Sequence, residues 1–180
     1  MNEVELSRER RGHLLPNDLS LYIGKKTLVK LILDAAPQIR AGAAECEGPA
    51  EGAVFQPAMM LTLLTYCYAT GVYGSGDIEL NIRRDAMTRY LCAKAYPDMD
   101  MIRSFRRDNR LKIKQCLAGV LRRVWELRFC GDDAEPIEGH SYLDSSLSRW
   151  TRAMPAPDFN DEAEERMTRA VHADSMALDV

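Results

Sequence analysis

The sequence predicts an all-α protein, a compact multi-helix domain that holds a helix-turn-helix-like pair and carries an acidic C-terminal extension. Apolar residues recur every three or four positions along most of the chain, the spacing of a buried helix face. No stretch alternates apolar and polar residues as a half-buried strand does. Proline, glycine and aspartate fall where short helices begin and end. With 180 residues, 46% of them hydrophobic and 28% charged, the chain can close one core, and wholesale disorder is excluded.

Residues 1–13 are charged and weakly patterned, a lead-in to the folded part. Leu14-Leu15-Pro16-Asn17-Asp18 reads as an extended approach to a helix, with Asn17 as its cap. Gly24 weakens that helix, and Leu28, Leu31, Ile32 and Ala35 continue the helical repeat until Pro37 stops it. Residues 41–55, rich in Gly, Ala and Glu and holding Pro49, read as a surface loop. Pro57 suits a first helical turn because it lacks the N–H that would go unpaired there. Met60, Leu61, Leu63, Leu64, Cys67 and Tyr68 follow, apolar on most sides, so this run is the central core helix, with Gly71 as its stop.

Ser75 is placed to cap a short helix carrying Ile78 and Ile82, and Asp85 to start another carrying Met87, Tyr90 and Leu91 until Pro97. Asp98 or Asp100 then opens a segment with Met101, Ile102 and Phe105 on one face and arginines opposite. That segment runs on toward Leu117, Val120, Leu121, Val124, Trp125 and Leu127. Beyond Cys130, Asp132-Asp133-Ala134-Glu135-Pro136 forms a linker, and Pro155 and Pro157 interrupt again. A last, mostly polar helix starts at Asn160-Asp161-Glu162 and passes through Met167 and Val171. The expected division is a lead-in at 1–13, a helical domain at 14–130, and an acidic linker with its helix at 131–180.

Several function classes drop out. No run approaches the roughly 20 apolar residues of a membrane span, and Met1-Asn2-Glu3-Val4-Glu5-Leu6 is acidic where a secretion signal is basic. The five cysteines are scattered, with no Cys-x-x-Cys, which argues against a disulfide framework and structural zinc. His13, His140 and His172 stand alone, and Ser145-Ser146 beside Asp144 lacks the glycines of a nucleophile elbow. Gly74-x-Gly76 follows no strand and so is no dinucleotide fingerprint. The expectation is a cytoplasmic protein without catalytic residue, metal or cofactor.

Charge is unevenly distributed. The net charge is -3, yet residues 81–128 hold thirteen Lys and Arg against five Asp and Glu, a local +8, while residues 129–180 hold four against twelve, a local -8. Fields decay over about 8 Å at physiological salt, so a basic segment can face a polyanion while the whole chain stays acidic. Residues 86–95 and 99–110, with Tyr96-Pro97 between them, form the candidate helix-turn-helix pair. Arg103, Arg106, Arg107 and Arg110 lie at spacings of three and four and are the candidate DNA anchors. Arg83, Arg84, Lys112 and Lys114 are the supporting phosphate contacts. The same cations can instead solvate helix faces or pair with the acidic C-terminal segment.

Ordered motifs add a family likeness. Leu15-Pro16-Asn17-Asp18, Phe55-Gln56-Pro57-Ala58-Met59-Met60-Leu61 and Tyr66-x-Tyr68-Ala69-x-Gly71 come first, then Ser75-x-Asp77-Ile78-Glu79 and Arg89-Tyr90-Leu91. Pro97-Asp98-Met99-Asp100-Met101-Ile102-x-x-Phe105-Arg106-Arg107 closes the series. Over about residues 14–128 the chain resembles the N-terminal domain of IS5/IS1182-type (InsH-like) transposases. The resemblance implies a helical domain that engages the ends of a mobile element ahead of a ribonuclease-H-like nuclease domain. The 52 residues after 128 lack the strands such a domain needs. Asp132, Asp133, Asp144, Asp158, Asp161 and Glu162 therefore read as a solvated acidic tail and not as metal ligands. The resulting expectation is a stand-alone, non-catalytic, transposase-derived protein whose partner is double-stranded DNA, with a homo-oligomer allowed. The alternatives are an assembly module that no longer binds DNA and an N-terminal fragment of an interrupted transposase.

Overall fold

The computed structural model describes residues 15–42, 56–93, 95–130 and 156–177. Among these the chain is all helix, without a strand. The helices are α1 (Ser20–Ile23), α2 (Lys25–Gly42), α3 (Pro57–Ala69), α4 (Ser75–Arg84), α5 (Ala86–Leu91), α6 (Met99–Asp108), α7 (Arg110–Trp125) and α8 (Phe159–Met176). A π-helical turn, Glu126–Cys130, extends α7. The lead-in, the 43–55 loop, the 131–155 linker and, within them, His13, His140, Ser145, Ser146 and Trp150 lie outside the described residues.

α3 is the centre. Every position from Met60 to Ala69 is buried, as its all-round apolar sequence demands. Thr62 keeps its hydroxyl satisfied within the helix, its Oγ1 donating to the Ala58 carbonyl at 2.8 Å. Gly71 ends it at φ 80°, a left-handed conformation natural to glycine, and the Val72 N–H donates to the Cys67 carbonyl at 2.8 Å. α2, α7 and α8 close around this axis through Leu28, Ile32, Ile113, Leu117, Leu121, Ala163 and Met167, all buried. α4, α5 and α6 form a second tier, contributing Ile78, Ile82, Leu91 and Ile102.

Several starts and stops differ from the sequence reading. α1 has no Asn17 cap; Asp18 Oδ1 accepts from the Ser20 N–H at 2.9 Å instead. Asn17 turns toward α8, where its carbonyl and side-chain oxygens accept from Arg166 and Arg169. α2 does not stop at Pro37 but continues to Gly42, with the Leu33 carbonyl forgoing the helical bond that proline cannot donate. Asp85 and Asp98 do cap α5 and α6, accepting from the N–H groups of Thr88 and Met101, each at 2.9 Å, whereas α8 is capped by Asp158, ahead of the expected start, which accepts from the Asn160 N–H at 2.9 Å. α6 and α7 are not one helix. Asn109, at φ -119° and ψ 23°, breaks them, and its Nδ2 donates to the Phe105 carbonyl at 3.2 Å.

α8 is no peripheral appendage. Its inward stripe is Ala163, Arg166, Met167, Ala170 and Asp174, all buried. Arg166 is 1% exposed and donates to the carbonyls of Pro16, Asn17 and Tyr68 at 2.7, 2.9 and 3.0 Å, while its Nε meets Glu162 at 3.0 Å. One guanidinium thus joins α8, the approach to α1 and the end of α3. Removing it strands several carbonyls that have lost their contact with water. We expect Arg166→Met to lower stability by about 3 kcal/mol, measured by urea denaturation, although methionine preserves most of the volume. Ala93 follows α5 at φ 49°, where a β-carbon is strained. Ala93→Gly is expected to raise stability by about 1 kcal/mol in the same measurement.

Candidate nucleic-acid interface

The proposed anchors on α6 part company. Ile102 and Arg106 are one helical turn apart on the inward face, and Arg106 is only 7% exposed. Its guanidinium pairs with Asp174 of α8 and reaches Tyr68 Oη and Ser75 Oγ at 3.4 Å and the Ala170 carbonyl at 3.5 Å. Arg106 is therefore a core residue and not the DNA contact its spacing suggests. Arg103 is partly buried beside it, 3.5 Å from Asp174 and 3.6 Å from Asp100. On α7, Arg110 and Lys114 share one carboxylate, Glu164 of α8, with Lys114 Nζ at 3.0 Å. Arg107 alone on α6 stands well into solvent, with Asp108 Oδ1 at 3.1 Å from its Nε. The four arginines do not form one outward face.

Two α8 carboxylates thus engage four of the eight cations expected to hold DNA: Asp174 takes Arg103 and Arg106, and Glu164 takes Arg110 and Lys114. α5 and α6 do not pack chiefly on each other: α5 leans on α3 and α4 alike, and α6 chiefly on α4. Ser75 does not cap α4 with its own side chain. It is the first helical residue, and Asp174 accepts from its N–H at 2.6 Å and its hydroxyl at 2.7 Å. A carboxylate from α8 therefore supplies the negative charge that a helix start favours.

Other cations stay available. Arg83 and Arg84 end α4, exposed, and Arg89 stands on α5 with its Nη1 donating to the Arg83 carbonyl at 3.4 Å. Arg83 meets Glu79 at 3.0 Å on the same helix, and Lys25 meets Asp85 at 3.5 Å. Arg84, Arg89 and Lys112 have no ion pair among the described residues. Arg89 is not among the DNA contacts expected from the sequence because it lies in a six-residue helix, although its exposure next to Tyr90 follows from Leu91 facing inward.

Beside these arginines lies a groove of about 820 Å³ between α2, α3 and α5, floored by Leu33, Ala36, Met59 and Leu91. Arg89, Tyr90 and Tyr96 line its edge, and among the described residues no carboxylate does. Among the described residues no three His, Cys, Asp or Glu side chains converge as a metal site would, and no helix is long and apolar enough to cross a membrane.

Burial alone would push the Asp174 carboxyl up, but the Ser75 N–H, the Arg106 guanidinium and the Ser75 hydroxyl hold it below the usual carboxylate range. Glu164 is held low by its bonds to Lys114 and Arg110. A carboxylate with a depressed folded-state pKa stabilises the fold above its unfolded pKa of about 4, and that contribution fades as pH falls through the folded value. Stability should therefore be level near neutrality and decline below about pH 4. Asp174→Asn leaves Arg106 buried without its counter-charge and is expected to cost about 3 kcal/mol at pH 7. Its loss on going to pH 3 should be smaller than that of the parent, as urea midpoints at the two pH values will show.

No protein-family model, curated protein or solved structure matches this chain.

Proposed function

We propose that the chain is a non-catalytic DNA-binding module of transposase-like descent, serving element-end binding or a recruited regulatory role. It grips the phosphate backbone with the arginines of the α4–α5 corner, and α6 is not its recognition helix. The observation that carries this reading is the set Arg83, Arg84 and Arg89, exposed together where α4 ends and α5 begins. Two of the three lack an ion pair among the described residues. Guanidinium groups in that state can exchange water and counter-ions for phosphate oxygens with little to break first. Lys25 adds a fourth cation at the same corner, and among the described residues Glu79 and Asp85 pair with members of this set.

A second reading has its own observation. α8 pairs with Arg103 and Arg106 through the buried Asp174 and with Arg110 and Lys114 through Glu164 at the surface, which fits an assembly module that has given up DNA. Binding to a labelled duplex at two salt concentrations separates the two. For DNA binding through about three phosphates, log affinity falls against log salt with a slope of roughly -3. Arg84→Glu with Arg89→Glu should then weaken binding at least about tenfold at low salt, each reversal turning a phosphate contact into a repulsion. No binding at low salt, combined with self-association in sedimentation, would favour the assembly reading.

A further inference from the structure

Phosphate binding leaves the neighbouring groove unexplained. Tyr90 and Tyr96 are 67% and 59% exposed, and neither ring makes a hydrogen bond or ring contact among the described residues. Between them and the apolar floor of Leu33, Met59 and Leu91 there is room on the scale of a ligand cleft, about 820 Å³. Arg89 lines that space and Arg84 lies on the adjoining helix end, with no carboxylate among the described residues of the lining. A duplex offers base edges and phosphates, its base faces being already stacked on one another. A single strand offers phosphates together with free base faces, and tyrosine rings beside unpaired arginines match both halves of that chemistry.

We infer that the groove between α2, α3 and α5 binds unpaired bases of single-stranded DNA, stacked on Tyr90 and Tyr96, while Arg89 and Arg84 hold the linking phosphates. This rests on the nucleic-acid reading above and names its preferred form of substrate. Both tyrosines are exposed, so replacing them leaves the core untouched.

The test uses the full chain and fluorescence anisotropy with three probes of equal length: oligo-dT, an abasic single strand and a duplex. Oligo-dT should bind about tenfold or more tighter than the abasic strand, which offers no base faces to stack. Tyr90→Ala with Tyr96→Ala should remove that advantage while changing duplex binding less than about twofold, and Tyr90→Phe with Tyr96→Phe should retain it, because the ring and not the hydroxyl stacks. Equal affinity for oligo-dT and the abasic strand overturns the inference and leaves the phosphate reading standing. Competition by an acidic helical peptide that depends on both tyrosines also overturns it, making the groove a protein-docking site. Failure of all three probes to bind overturns both.

Discussion

Arg166 carries a full charge into the centre of the molecule and spends it on backbone oxygens. The Pro16, Asn17 and Tyr68 carbonyls, each left without a helical partner of its own, converge on its two terminal nitrogens. Neither α3 nor the approach to α1 can end where it does without a donor from elsewhere, since a buried carbonyl left unpaired is costly. The packing of Ala163, Met167 and Ala170 against the core follows from that placement, and so does the position of Asp174 two turns further on. Asp174 in turn determines what Arg106 and Ser75 can do. The electrostatics of the second tier are thus an outcome of one polar anchor in the first.

The helical class, the central α3, the Gly71 stop and the Asp85 and Asp98 starts were legible because each rests on local chemistry: apolar spacing, a left-handed turn, a short acidic cap. Pro37 shows the limit of such reasoning, because a proline disfavours a helix interior without forbidding it. Asn17 and Ser75 show another limit. Both looked like caps from their neighbours alone, and both are committed to residues of α8 about a hundred positions or more away, which no local pattern reveals.

The candidate interface was harder to read for a related reason. Spacings of three and four suggest arginines on one outward face, yet Arg106 lies one turn from Ile102, on the apolar side, while Arg107 points to water. The pattern held the clue, since a cation in register with an inward isoleucine needs a buried partner. The acidic C-terminal segment was recognised as a possible counterpart, but its point of contact depended on tertiary packing. The cations that remain available, Arg84 and Arg89, sit at a corner between two short helices where periodicity carries little information.

The bonds from Arg166 to residues near the start of the described chain span about 150 positions of sequence, 149 to Asn17 and 150 to Pro16. On the ribosome, everything from α1 to α7 must therefore wait, with the carbonyls at the end of α3 still hydrated, until α8 has cleared the exit tunnel. Nascent chains stalled ahead of α8 present the unfinished surface to chaperones and proteases.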